Sequence, residues 1–282
     1  MKIIECPRDA MQGLHEFIPT QSKINYLNSL LKVGFDTIDF GSFVSPKAIP
    51  QLKDTAEVLN GLDLSSTKSK LLAIIANVRG AQDAVEFDEI TYLGFPFSIS
   101  ETFQIRNTNS TIAESLERVE EIQNLCLRNR KELVIYISMA FGNPYGDVWN
   151  SDIAIEWTSK LSHLGIKIIA LADTVGVSNP ESIRYLFSKL IPRFTDIEFG
   201  AHLHSTAQSR YEKISSAYES GCRRFDVAIH GFGGCPMAND DLVGNLSTES
   251  LLAFVEDKKI NLNIDKTAFQ ESLLLADNVF PL

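Results

Sequence analysis

Eight short runs rich in β-branched and aromatic residues recur along the chain, with helix-length polar segments between them. The runs are KIIEC (2–6), TIDFGS (37–42), KLLAIIAN (70–77), EITYLGF (89–95), ELVIYIS (132–138), KIIALAD (167–173), EFGAHLH (198–204) and RFDVAIH (224–230). Strands that alternate with helices build a parallel sheet covered by those helices. Eight such units in ~250 residues match the size of a (β/α)₈ barrel. A doubly wound open sheet is the competing arrangement, but no GxGxxG follows the first run and eight units favour closure. The expected fold is α/β: a (β/α)₈ TIM barrel, one domain over residues 1–282, with one or two extra helices from about residue 247.

The clearest helix signal lies at 110–130. Ile112, Leu116, Val119, Ile122 and Leu125 fall three or four apart, and Thr111 with Glu114 fits a capping box. A second helix is predicted over 182–190, opened by Asn179-Pro180-Glu181 and ended by Pro192. Hydrophobic residues at 44% and charged residues at 22% argue against disorder. A net charge of −10 argues against a nucleic-acid or anionic-membrane surface. No apolar run approaches the ~20 residues of a membrane helix. The first residues enter a strand pattern without the long apolar stretch of a signal peptide. Cys6, Cys126, Cys222 and Cys235 form no CxxC pair. A reduced, cytoplasmic protein is expected.

Ionisable and polar residues collect where the strand runs end. Arg8 and Asp9 follow the first run, and Asp39 lies in the second. Asn77 ends the third, Tyr136 and Ser138 lie in the fifth, and Asp173 ends the sixth. His202 and His204 end the seventh, and His230 ends the eighth. In a barrel these ends converge on one mouth, where barrel enzymes place their chemistry. Histidines at i and i+2 of a strand point the same way. They are either two hydrogen-bonded rings or two nitrogen ligands of a metal. In the second case Asp9 supplies an anionic oxygen and Asn245 a neutral one. Such a set without thiolate suits Mg²⁺ or Mn²⁺, with Co²⁺ or Zn²⁺ as alternatives. Arg8 beside Asp9 reads as a rim ion pair or as a cation aimed at a developing oxyanion. The loop GFGGCP (231–236) reads as a phosphate cradle or as a lid delivering Cys235 as a proton donor. Lys47 reads as a solvated surface charge.

PRDAMQ, SFVSPKAIPQLKD, LADTVG, AHLHST and GFGGCP followed by GN occur in the order and approximate spacing of the hydroxymethylglutaryl-CoA lyases. The chain resembles that family from about residue 1 to 256. The resemblance implies a metal-dependent barrel lyase that cleaves a 3-hydroxy-3-methylglutaryl-CoA-like thioester to acetyl-CoA and acetoacetate. By motif match, Asp9, His202, His204 and Asn245 look like the metal ligands. Arg8 looks like the residue that stabilises the enolate, and Cys235 like the mobile-loop proton donor. Asp39 stands where the family has a catalytic glutamate, and Asp173 resembles its supporting aspartate. His202 is a candidate acid/base relay. Gln12, Asn77, Tyr136, Ser138, Asp173 and Thr174 are the candidate substrate contacts. An acyl-CoA substrate and a homodimer are the expected partners. Ala10, Gly13, His15, Asn143 and Ser205 depart from the family's pattern. The rival readings are a carboligase of the same group, a pyruvate-dependent aldolase, and a non-catalytic metal-binding barrel.

Overall fold

The computed structural model describes residues 1–234 and 243–280. Its strands are β1 (Lys2–Glu5), β2 (Thr37–Ser42), β3 (Lys70–Ile74), β4 (Ile90–Ser98), β5 (Glu132–Ser138), β6 (Ile168–Ala172), β7 (Glu198–His202), β8 (His204–Ser205), β9 (Arg224–Val227) and β10 (Gly244–Asn245). β1 to β7 and β9 close a barrel in sequence order, every neighbouring pair parallel, with β9 joined to β1 by Lys2–Arg224 through Glu5–Val227. The expected (β/α)₈ TIM barrel is what the chain forms, and each of the eight runs contributes its strand. β8 and β10 pair antiparallel as a short ribbon outside the barrel, with Asn245 opposite His204.

The helices are α1 (Pro7–Gln12), α2 (Thr20–Val33), α3 (Thr55–Asn60), α4 (Val78–Val85), α5 (Glu101–Thr108), α6 (Ile112–Arg128), α7 (Ser151–His163), α8 (Pro180–Arg193), α9 (Arg210–Glu219), α10 (Thr248–Asp257) and α11 (Lys266–Val279). α6 carries the expected capping box: the Thr111 hydroxyl accepts from the Glu114 N–H, and Glu114 accepts from the Thr111 N–H at 2.8 Å. α8 outruns its expected end. Pro192 sits in its last turn, where few intrahelical bonds remain to be lost. α10 and α11 are the expected C-terminal additions. α11 packs on α2, with Tyr26 edge-on to Phe280 and Phe35 edge-on to Phe269. No helix among the described residues is long and apolar enough to cross a membrane.

Strand alternation divides the apolar residues into two cores. The larger lies between sheet and helices and includes Ile135, Ile137, Ile169, Phe225 and Val227. The smaller fills the lumen with Leu72, Ile74, Tyr92, Val134, Tyr136, Ile168 and Ala170. Each fully buried leucine or isoleucine contributes about 2 kcal/mol. The lumen is thus a packed floor, and the polar ends of the strands stand above it.

Candidate active site and metal centre

α1 begins at once after β1 because Pro7 occupies the first helical turn, where its missing N–H is no loss. This places Arg8, Asp9 and Gln12 together over the barrel mouth. Arg8 Nη1 donates to Gln12 Oε1 at 2.8 Å and to Asp9 Oδ1 at 3.1 Å, and Gln12 Nε2 donates to the same Asp9 oxygen at 2.9 Å. On its other edge Arg8 grips Asp39 of β2, Nε at 3.0 Å and Nη2 at 2.6 Å from Oδ2. Both partners are buried. Burial pushes the Asp39 carboxyl up to about 6 against the pull of Arg8. Burial works against the Asp9 carboxylate as well, but Arg8 and then His202 outweigh it and hold Asp9 below its ordinary value.

The two histidines do not share a strand as the run 198–204 suggested. β7 stops at His202, Leu203 turns into the apolar shell, and His204 opens β8. The rings still converge, their centroids 5.5 Å apart. His204 Nδ1 lies 3.1 Å from the Thr174 carbonyl oxygen, so Nδ1 carries the proton. Its Nε2 is buried without a hydrogen-bond partner. Burial, and then neighbouring His202, lower the His204 value to about 4, so the ring is neutral at neutral pH. His202 Nδ1 lies 3.1 Å from Asp226 Oδ2. Burial pulls the His202 value down, but this bond and the Asp226 charge outweigh it and raise it above 6.5.

One ligand atom each from Asp9, His202 and His204 lie within 4.8 Å of one another. Asn245 closes the group: its Nδ2 donates to Asp9 Oδ2 at 2.7 Å and to the Phe232 carbonyl at 2.9 Å. A half-turn of that carboxamide exchanges nitrogen for oxygen at Asp9. Two neutral imidazoles, a carboxylate and a carboxamide oxygen fit a divalent cation of intermediate hardness. The orphaned His204 Nε2 is the observation that favours a ligand role over two merely hydrogen-bonded rings.

These groups open onto a cavity of about 370 Å³ that Arg8, Asp9, Gln12, His202 and His204 share with an apolar wall of Val44, Ile49, Ile74, Pro96 and Phe103. Tyr136, Ser138 and Thr174 line it as well, and Tyr136 stands edge-on to His202 at 5.5 Å. Thr174 is also scaffold: its hydroxyl accepts from the Met139 N–H at 2.9 Å. Arg106, Asn107 and Thr108 of α5 form a further part of the wall.

Other expectations are corrected. Asn77 does not reach the cavity. It is exposed and caps α4, its side-chain oxygen accepting from the Gly80 N–H at 2.9 Å, while Ala76 lines the wall. Asp173 is not a cavity residue either. Its carboxylate takes Lys213 Nζ at 2.8 Å and Ser178 Oγ at 2.5 Å, which fits a support and not a substrate contact. His230 turns away from the mouth to Glu249 and Asp277. Lys47 is exposed, as expected of a surface charge. Cys235 lies outside the described residues.

Two residues escaped the sequence reading. Lys213, on α9, is buried and bonds the His204 carbonyl at 2.7 Å as well as Asp173. Nothing in its helical neighbourhood signals this. Asp226 did carry a signal, because RFDV places two charges two apart inside an apolar run.

A family model described as HMGL-like matches residues 2–274. The hydroxymethylglutaryl-CoA lyase YngG of Bacillus subtilis is 32% identical over 262 residues, covering 92% of this chain and 85% of that protein. The 3-hydroxy-3-isohexenylglutaryl-CoA/hydroxy-methylglutaryl-CoA lyase of Pseudomonas aeruginosa is 30% identical over 94% of this chain and 88% of its own length. An HMG-CoA lyase structure from Acenitobacter baumannii, in complex with coenzyme A and 3-methylmalate, superposes with a TM-score of 0.91 at 32% identity, over 99% of this chain and 90% of that one.

Proposed function

This chain belongs to the HMGL-like family, and we propose that it is a divalent-metal-dependent carbon–carbon lyase that cleaves 3-hydroxy-3-methylglutaryl-CoA to acetyl-CoA and acetoacetate. One observation carries the reading: three ligand-grade side chains, Asp9, His202 and His204, meet in one cavity beside the buried cation Arg8. The names of its relatives favour the lyase over the carboligase, the aldolase and the non-catalytic barrel. Coenzyme A in the related structure supports a CoA thioester as substrate. Cytoplasmic residence rests on the free, buried thiols of Cys6, Cys126 and Cys222.

Asp9, His202, His204 and Asn245 would hold the cation, Mg²⁺ or Mn²⁺ before Zn²⁺ or Co²⁺. Bound there, it supplies Lewis acidity at the tertiary hydroxyl, which lowers the barrier to losing that proton. Cleavage then leaves a thioester enolate. Of the five Arg8 donors, Asp9, Gln12 and Asp39 occupy four, and one Nη2 hydrogen stays unassigned among the described residues. That hydrogen is the donor for the enolate oxygen, and Asp39 sets its direction. The expected relay role does not fit a His202 ring whose Nδ1 lies on Asp226 and whose Nε2 would face the cation, so His202 would act as a ligand. Cys235 returns a proton to the enolate carbon, a role that rests on the motif match. The apolar wall of Val44, Ile49, Ile74, Pro96 and Phe103 keeps water from the carbanion.

Release of acetyl-CoA and acetoacetate from 3-hydroxy-3-methylglutaryl-CoA, with metal and with EDTA, tests the reading. Activity that EDTA abolishes and Mg²⁺ or Mn²⁺ restores supports it. Metal-loaded protein that leaves the thioester intact yet releases pyruvate from a 4-hydroxy-2-oxo acid would replace it with the aldolase.

A further inference from the structure

Branched apolar side chains ordinarily fill the lumen of such a barrel. β9 breaks that rule twice. Phe225 and Val227 join the outer core, so Arg224 and Asp226 face inward. Arg224 is 0% and Asp226 3% exposed. Taking such ions out of water costs several kcal/mol each. The return in hydrogen bonds is poor, since Asp226 Oδ1 and Arg224 Nε and Nη2 have no partner. Stability alone does not account for the pair.

The order along the lumen does. At the far rim Glu198 accepts from Arg224 Nη1 at 3.3 Å. Two residues on, Asp226 stands below the mouth with Oδ2 against His202 Nδ1. Gly200 of β7 makes room for the arginine, because a Cβ there would stand 3.1 Å from Arg224 Cδ. Cys6 groups with His202 and Asp226 as well, its thiol within 4.8 Å of a ligand atom of each. Its thiol is held protonated by burial and by Asp226, and it donates to the Ile4 carbonyl.

We infer that Asp226 is a positioning residue for His202: it accepts the Nδ1–H, so the ring can present only its Nε2 lone pair to Asp9 and His204, and Arg224 supplies the compensating charge deeper in the lumen. The inference rests on the metal reading above. An imidazole that donates its second N–H to a carboxylate is fixed in tautomer and orientation and is a better ligand. His204 obtains the same tautomer from the Thr174 carbonyl, so the two rings are set independently.

Two measurements test this. Two-bond ¹H–¹⁵N correlations on protein labelled with ¹⁵N-histidine read the His202 tautomer without any metal. The expected state is Nδ1–H in the parent and a shift toward Nε2–H in Asp226→Leu. Mn²⁺ titration followed by the paramagnetic signal of the free ion reads affinity. Asp226→Asn and Asp226→Leu should weaken binding roughly 10- to 100-fold, with unchanged circular dichroism. An Nε2–H tautomer in the parent overturns the inference, and so does a variant that folds and binds Mn²⁺ as the parent does. If the variants fail to fold, the parent's tautomer decides. A parent that takes up no Mn²⁺ fails the metal reading and takes this inference with it. A parent that binds but is indifferent to Asp226 removes only the inference.

Discussion

Asp39→Asn separates what the buried Arg8–Asp39 pair does for stability from what it does for turnover. Asp39 is 1% exposed, and its carboxyl, ordinarily near 3.8, is pushed up to about 6 by burial. The ionised group is therefore worse off in the fold than in the unfolded chain. At 1.36 kcal/mol for each tenfold change in ionisation, this costs about 3 kcal/mol at pH 7. The sign is that of any acid with a raised value: the cost is absent below about pH 4 and complete once the pH has risen through about 6. Asparagine removes it. Against that, the carboxamide nitrogen takes the place of Oδ1, 3.2 Å from Arg8 Nε, where donor faces donor, at about 1–3 kcal/mol. The two terms nearly cancel, and the variant should lie within about 2 kcal/mol of the parent at pH 7. Turnover has no such compensation. A guanidinium held at one point no longer aims its free N–H, and losing one aligned donor costs about 10²- to 10³-fold in kcat. Urea unfolding from pH 4.5 to 7.5, beside the acetyl-CoA release assay, reads both. The parent should lose stability relative to the variant as pH rises across that range. A variant that keeps parental kcat, or one that loses ~5 kcal/mol or more, as the breaking of a net-stabilising buried pair would, refutes the reasoning.

Arg8→Lys should keep the charge but not the two-edged grip on Asp39 and Gln12, so kcat should fall with KM little changed; a change confined to KM would make Arg8 a substrate anchor. Because His202 must be neutral to donate its Nε2 lone pair and its value is raised above 6.5, Mn²⁺ affinity should begin to weaken while the pH is still above 6.5. Affinity that stays flat from pH 8 to 6 in a calorimetric titration counts against His202 as a ligand. Cys235→Ser should leave Mn²⁺ binding intact and cut turnover steeply, since a hydroxyl is a far weaker acid than a thiol; parental turnover would remove Cys235 from the mechanism. Gly233→Ala should weaken metal binding, because its Cβ would stand 2.8 Å from Asn245 Nδ2 and 2.9 Å from the Asp9 carbonyl at a φ of +91°; equilibrium dialysis against Mn²⁺ decides.

The barrel was legible because strand periodicity is local and the lumen and shell residues alternate within each run. The mouth residues were legible for the same reason, since parallel strands carry their ends to one side whatever the loops do. What failed was side-chain direction beyond the strand. Asn77 follows β3 by three residues, and an asparagine there serves equally as a site residue or as a helix cap; α4 took it as a cap. Asp173 was found by motif, but its partner Lys213 comes from α9, forty residues on, and no local pattern announces that contact. The loop GFGGCP reads from sequence as a phosphate cradle or a lid, and neither reading announces the close approaches of Gly231 and Gly233, against Asn245 in both cases and against Asp9 in the second.

Charge balance at the barrel mouth explains why the ligands fall where they do. In the mouth and lumen the buried carboxylates of Asp9, Asp39, Asp173 and Asp226 are set against the buried cations Arg8, Lys213 and Arg224. Asp173 has Lys213 at 2.8 Å. Arg224 makes no ion pair with Asp226, but the Asp226 charge helps to outweigh burial and raise the Arg224 value. Arg8 is divided: its closest contact is Asp39 at 2.6 Å, and Asp9 receives only Nη1 at 3.1 Å. Asp9, the carboxylate that faces His202 and His204, is held below its ordinary value by Arg8 and then His202 against the effect of burial, so it stays ionised at neutral pH. His204 is neutral there and adds no charge beside it. An anionic thioester entering this mouth meets that carboxylate. A divalent cation bound at this point would offset it, so substrate entry would depend on metal. Substrate binding, and not the chemical step alone, should then be lost when the metal is stripped.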